Sequence, residues 1–202
     1  MVQDYKYLHP SKLEAGAGYH YPGLTPLQPV GVDSPAIDVM TDLRLVAAAT
    51  IDSDVSIDAA NQAMIARGVR SLLVVDGQGS VVGIITSRDI HGERPMQVVH
   101  KRGVRHGEVK VGDVMTRRED IEVLDLSEIL RARVGAVIET LKRSGRQHAL
   151  VADRDKGDRQ MVRGIFSLSQ IARQLGLPPM HTTEVARTFA EIEAAISEVP
   201  AA

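Results

Sequence analysis

The sequence predicts a mixed α/β fold built from two pseudo-symmetric units, with an irregular N-terminal segment and a C-terminal helix attached. Three observations carry this prediction. Two blocks between Ile37 and Gly176 repeat one another. Within each block an apolar stripe of helical period gives way to two short apolar runs joined by a turn. The 44% apolar content includes only 3% aromatics, with Phe166 and Phe189 the two phenylalanines and no Trp, so the core is one of Val, Ile, Leu, Ala and Met. At 202 residues the chain is long enough for one sizeable core or two intimately packed halves.

The repeat is read directly. Asp38-Val39-Met40-Thr41 recurs as Asp113-Val114-Met115-Thr116, an offset of 75. The run from Arg70 to Asp76 recurs as Gln147 to Asp153 at an offset of 77, and Gly83 to Ile90 recurs as Gly164 to Ile171 at 81. Growing offsets mark insertions in surface loops.

In the first copy, Ile57, Ala60, Met64 and Ile65 are expected on one helical face after Ser56, an N-cap, with Gly68 as the left-handed stop. Leu72 to Val75 reads as a buried strand, the Gly77/Gly79 turn follows, and Val81 to Ile85 is the second strand. Thr86 or Ser87 caps a further helix. The second copy repeats the logic. Val134, Val137, Ile138 and Leu141 stand at i, i+3, i+4 and i+7, Gly145 stops the helix, and Ala149 to Val151 and Met161 to Phe166 are strands around a charged loop from Asp153 to Gln160. A unit of roughly 60 residues buries both faces of a small sheet poorly. Pairing the copies as a sandwich covers the apolar faces and leaves two clefts between them.

The expected boundaries are residues 1–35, an extension rich in Pro, Gly and Tyr; 36–99, the first unit; 100–110, a basic linker; 111–176, the second unit; and 177–202, the C-terminal helix. The extension holds all four tyrosines and five of nine prolines and resists regular structure; it either drapes over a neighbouring surface or stays flexible. After Gly176-Leu177-Pro178-Pro179, Val185, Phe189, Ile192 and Ile196 form an amphipathic stripe over Thr182 to Val199, which packs on the module or makes a dimer contact.

The Asp-Val-Met-Thr openings, the helix ending in Gly68-Val69-Arg70-Ser71-Leu72, and Gly83-Ile84-Ile85-Thr86-Ser87-Arg88-Asp89-Ile90 closely resemble a tandem of cystathionine-β-synthase (CBS) domains, a Bateman module, over about Ile37 to Gly176. The resemblance implies a single α/β disc that is regulatory and not an enzyme, with an adenosine-containing ligand (AMP, ADP, ATP or S-adenosylmethionine) in a cleft between the copies. It also implies roles at the Gly-h-h-Thr-x-x-Asp turn, where Thr86 stands near phosphate or ribose, Asp89 takes the ribose diol and Ile84 packs on adenine. Chemistry agrees with that transfer: a carboxylate accepts from both ribose hydroxyls in charge-assisted bonds, and the free N–H groups of a helix's first turn face an anion. Arg88 adds charge. Thr and Asp at this spacing are equally the ingredients of a plain capping box.

In such pairs each cleft borrows from both copies, which brings Arg146 and Gln147 to Asp89, and Val69 and Arg70 to Gln170. Arg146 and Arg70 are candidate phosphate contacts or solvated surface arginines. In the second cleft Ile165, Ser167 and Ser169 persist, but Gln170 replaces the ribose carboxylate, which makes it the weaker nucleotide site. His148 is expected at a cleft mouth.

A net charge of −2 argues against a surface committed to nucleic acid, and the basic stretch from His100 to His106 is best read as a solvated connection. Absence of cysteine removes thiol chemistry and disulfides, and the seven histidines lack metal-ligand spacing, so no metal and no obligatory cofactor are expected. No signal peptide or membrane span is read, which suggests a cytoplasmic protein. The partners expected are a small adenosine ligand, a second copy in a homodimer and an unidentified regulated protein. The alternative is a constitutive homodimeric scaffold without a nucleotide.

Overall fold

A computed structural model describes residues 30–177 together with the helical residues Phe189, Ala190 and Ala194. In chain order β1 (Thr41–Asp42) and β2 (Thr50–Ile51) precede α1 (Ile57–Arg67), β3 (Ser71–Val75), β4 (Val81–Thr86), α2 (Ser87–His91) and α3 (Arg94–Arg102). Then α4 (Val111–Val114), β5 (Thr116–Arg117), β6 (Val123–Asp125) and α5 (Leu126–Ile129) lead into α6 (Val134–Ser144), β7 (His148–Arg154), β8 (Gln160–Ser167) and α7 (Leu168–Gln174). The strands form two four-stranded sheets, ordered β2-β3-β4-β5 and β1-β8-β7-β6. The helix, strand, strand, helix order read from the sequence is present twice. Each unit also begins with a short strand, β2 parallel to β3 and β6 parallel to β7, too brief to leave a periodic signal.

Local chemistry explains the helix ends. The Ser56 hydroxyl accepts from the Ala59 N–H at 3.2 Å, and Gly68 and Gly145 both close their helices at φ 63°, a conformation costly for a residue with Cβ. One expected core residue is corrected. Ile57, Ala60 and Met64 are buried, but Ile65 is 65% exposed. At 100° per residue Ile65 falls about 80° from Ile57 on the side away from Ala60, outside the buried arc. In α6 the four predicted positions lie within a narrower arc, and all are buried.

The sheets are joined by exchange of their edges. β1, from the opening of the first copy, pairs antiparallel with β8 of the second, and β5, from the opening of the second copy, pairs antiparallel with β4 of the first. The Asp-Val-Met-Thr motifs drive this crossing. A Cβ built on Gly83 would lie 2.7 Å from Met115 Sδ and 2.8 Å from the Thr116 carbonyl oxygen, and one on Gly164 would collide with the Met40 side chain. Glycine in the repeated strand is therefore the seat for the methionine of the other copy.

Burial follows the same exchange. Ala36, Val39 and Met40 pack in the second unit's core with Val134, Val137, Leu141, Val151 and Phe166. Val109, Val111 and Val114 pack in the first unit's core with Ile57, Met64, Leu72, Val74 and Ile85. The opposite faces of the two sheets meet through Leu73 and Ile84 from the first and Leu150 from the second, with Ile165 packed against them. Alternation along β3 sends Leu72 and Val74 to the helices and Leu73 to the partner sheet. Each such side chain contributes on the order of 2 kcal/mol.

The basic stretch read as a loop is corrected in part. His100, Lys101 and Arg102 form the last turn of α3, which Pro95 opens and Gly103 ends at φ 66°. Pro just inside the start and Gly just past the end favour a helix here, with three basic residues beside its negative C-terminal pole. Residues 1–29 of the extension and most of the segment expected to form the C-terminal helix lie outside the described residues; Phe189, 4% exposed, packs in the second unit's core. No helix among the described residues is long and apolar enough to cross a membrane.

Candidate functional site

The end of β4, the start of α2, one face of α3 and the opening of the second unit enclose a cleft of about 1070 Å³. All six residues expected at the first cleft line it: Ile84, Thr86, Arg88 and Asp89 from the first unit, Arg146 and Gln147 from the second. Within each unit a matching contact ties the residue before the hairpin to the start of the following helix. The Ser87 N–H donates to the Arg70 carbonyl at 2.9 Å, and the Leu168 N–H donates to the Gln147 carbonyl at 2.9 Å.

Thr86 N-caps α2 in a reciprocal capping box with Asp89. The Thr86 N–H and hydroxyl donate to Asp89 Oδ2 at 2.9 and 2.7 Å, and the Asp89 N–H donates to Thr86 Oγ1 at 3.3 Å. On the other carboxylate oxygen, Oδ1, Arg94 Nη1 donates at 3.0 Å while also donating to the Val114 carbonyl at 2.8 Å. A carboxylate offers about four lone-pair sites. Three are engaged, so a ribose diol here must share Oδ1 with Arg94 or displace it.

Arg146 Nη2 donates to the Asp120 carbonyl at 3.3 Å and lies 3.9 Å from Glu122. His148 also lines the cleft, and burial together with the nearby Arg70 guanidinium pushes its imidazole down to about 4, so it is neutral at physiological pH. Ile84, 8% exposed, belongs both to the cleft wall and to the cluster between the sheets.

α3 supplies cleft residues that the sequence reading missed. Arg94, Gln97, Val98 and Lys101 all line the cleft, spaced i, i+3, i+4 and i+7 on one helical face. Pro95 and Gly103 were the available signals for that helix. Thr116 and Arg117 of β5 and Ile121 complete the wall, brought there by the edge exchange.

The residues expected at the second cleft are less assembled. The Ser167 and Ser169 hydroxyls lie 3.0 Å apart. Val69 packs, partly buried, against the first unit's core, and Arg70 stands near His148. Ile165 lies against the cluster between the sheets, and Gln170 is partly buried in α7. Nearby on the same sheet, Arg163 is ion-paired with Asp42 of β1 and lies 3.5 Å from Asp153, which Arg44 also contacts at 3.1 Å. Among the described residues no group of three or more His, Asp or Glu is arranged to hold a metal ion.

Comparison with known families bears on the same segment. The CBS-domain family model matches residues 36–94, which hold α1, β3, β4, α2 and the Thr86/Asp89 turn. Residues 36–94 are thus similar to a CBS domain. Among solved structures, an uncharacterized conserved protein from Pyrococcus horikoshii is similar at 22% identity with a TM-score of 0.52, over 76% of this chain and 100% of that one. That likeness bears on the fold. The CBS domain pair of protein MJ0100, solved with 5′-methylthioadenosine and S-adenosyl-L-methionine, aligns at 22% identity and a TM-score of 0.48 over 71% of this chain and 96% of that one. CBSX2 with AMP aligns at 18% identity and 0.46, over 71% and 94%. No curated protein matches the chain significantly.

Proposed function

We propose that this chain is a CBS-type regulatory module, not an enzyme, that binds an adenosine-containing ligand in the Asp89 cleft and signals to a partner. The observation that carries the reading is convergence: a hydroxyl and carboxylate at the start of α2, an apolar wall at Ile84, and Arg146 and Gln147 from the other unit face one cleft. Its volume of about 1070 Å³ is slightly above the roughly 300–1,000 Å³ typical of small-molecule sites. Because both units supply walls, a ligand there bridges them and favours whichever relative packing it fits best.

Titration calorimetry of the whole chain with AMP, ATP and S-adenosylmethionine tests this. The expected result is one saturable site, with Asp89→Ala weakening it by at least about tenfold. Asp89→Ala also removes the α2 cap, so Asp89→Asn, which keeps an acceptor for the cap, is measured beside it. Saturable binding unaffected by either change places the ligand elsewhere.

A second reading, a constitutive homodimeric scaffold, is favoured by one observation: three of the four acceptor sites of Asp89 are already used within the protein. Failure of every adenosine ligand to bind, with a dimer of fixed mass by light scattering, supports it.

A further inference from the structure

The strand that opens each unit lies beside a β-bulge of the other unit, and the two bulges differ in charge. In the first sheet Val74 pairs with Gly83 and Val75 with Val81, so Val82 is the extra residue of β4. In the second sheet Val151 pairs with Gly164 and Ala152 with Val162, which makes Arg163 the extra residue of β8. Arg163 is ion-paired with Asp42 of the exchanged strand β1, the two side chains being 14% and 18% exposed. Its Nε, buried and without a hydrogen bond among the described residues, lies 3.5 Å from Asp153 Oδ2, an oxygen that Arg44 also reaches at 3.1 Å.

Each opening strand has an alternative seat within its own unit. Both carry the Met-Thr step, and both β4 and β8 offer it a glycine. A β1 seated beside β4 would stand three strand spacings from β2, about 14 Å, which residues 43–49 span with room to spare. Packing of methionine on glycine therefore does not choose between exchange and own-unit pairing. Charge does. At matching repeat offsets Arg117 stands where Asp42 does, Val82 where Arg163 does, and Asp76 where Asp153 does. Seating β1 beside β4 would set Asp42 at Val82 and near Asp76, with no arginine in β2, β3 or β4 to meet the two carboxylates. Seating β5 beside β8 would set Arg117 against Arg163. The exchange instead gives Asp42 its cation and leaves Arg117 to the wall of the Asp89 cleft.

We propose that Arg163 selects the exchanged arrangement: it attracts Asp42 and repels Arg117, and so decides which opening strand completes which sheet. An ion pair largely withdrawn from water adds little net stability, because desolvation offsets the attraction, but a like charge in the same place is heavily penalised. The pair thus discriminates between strands, using repulsion of the wrong one as well as attraction of the right one. The consequence reaches the Asp89 cleft, whose lining includes Met115, Thr116 and Arg117 because β5 stands beside β4. Selection needs no ligand, so it stands apart from the adenosine reading of that cleft.

The chain contains no cysteine, so engineered pairs report the arrangement directly. Residues opposed across antiparallel strands have Cα atoms about 4.5–5.5 Å apart, within disulfide reach. Thr41→Cys with Ile165→Cys reads the exchange; Thr41→Cys with Ile84→Cys reads own-unit pairing of β1, and Thr116→Cys with Ile165→Cys that of β5. Each double variant of the whole chain is refolded from urea at low concentration in a glutathione buffer, and the fraction closed within one chain is read by mass spectrometry. With Asp42 and Arg163 in place, the exchange pair is expected to close at least about tenfold more than either own-unit pair. Arg163→Met and Asp42→Asn should each cut that ratio at least about fivefold, the second while keeping an acceptor for the Arg44 N–H. Arg117→Asp, at an exposed position, leaves the Asp42–Arg163 pair untouched but gives β5 a carboxylate that competes for Arg163. It should raise closure of the Thr116/Ile165 pair by about fivefold, which a merely stabilising ion pair would not do. That variant keeps the test decisive even where Arg163→Met fails to fold. Own-unit closure equal to exchange in the parent chain overturns the proposal, as does an unchanged ratio in both Asp42→Asn and Arg117→Asp.

Discussion

At the end of β4 stand Thr86, Arg88 and Asp89; at the matching end of β8 stand Ser167, Ser169 and Gln170. Backbone placement is the same in both, with a helix starting where the strand stops and a hydrogen bond back to the segment before the neighbouring strand. Charge is not. The first end has a capping box closed by a carboxylate and a wall with three cations that have no partner among the described residues. The second has two hydroxyls in contact, a neutral amide, and an Asp42–Arg163 pair where the first offers Arg117. The scaffold constrains the glycines, the methionines and the alternating apolar positions of the strands. It leaves the side chains at the strand ends free to diverge, so a repeated fold carries unequal clefts.

The comparison is broken hardest at the glycine seats. Gly83→Ala places a Cβ against both Met115 and the Thr116 carbonyl, and backbone moves less readily than a thioether, so a loss of about 3 kcal/mol is expected in urea denaturation. At Gly164 the three atoms nearest an added Cβ all belong to the Met40 side chain, which has rotamers to spare, so about 1 kcal/mol is expected for Gly164→Ala. Equal losses would show that the two edge exchanges are equally rigid.

His148 adds an asymmetry in pH, since Ser71 stands at its place in the first copy. Its folded pKa of about 4 lies below the ordinary 6.5, so the unfolded chain takes up a proton over this range that the folded chain refuses. The contribution of His148 is nearly constant above pH 7, falls as pH drops from 6.5 toward 4, and is expected to be about 2 kcal/mol lower at pH 5 than at pH 7. His148→Gln should flatten that slope in melts between pH 7 and pH 5; an unchanged slope would trace it to other groups.

The smallest effect is at Arg94. Removing its claim on Asp89 Oδ1 frees an acceptor, so Arg94→Gln is expected to tighten adenosine binding by about threefold in calorimetry, provided the Val114 contact is dispensable. Weaker adenosine binding would instead make Arg94 part of the ribose site.

Much of the fold was legible because its signals are local. Ser56 and Gly68 mark helix ends chemically, and four apolar positions at helical spacing define α6. Ile65 misled because an apolar residue next to the face resembles one on it until the angles are summed. The edge exchange was not legible: two residues paired across more than a hundred leave no period, and the Met-Thr repeat reads equally well as packing within its own copy. At the site, the Thr86/Asp89 turn stood out because the repeat framed it, and Arg146 and Gln147 followed from the resemblance. Lys101 and Arg117 did not, because the basic stretch from His100 reads as a linker and β5 is two residues long.

The exchanged edges also set an order for synthesis. The first unit lacks β5 and the buried Val109, Val111 and Val114 until residue 117 has left the ribosome, so its helix and hairpin emerge well before their sheet can close. The opening segment waits longer: Thr41 pairs with Ile165, and Met40 has no seat until Gly164 arrives. Chain made early is thus held open for chain made late: the first unit's sheet can close once residue 117 has emerged, while the segment that opens the chain waits for the second unit's last strand.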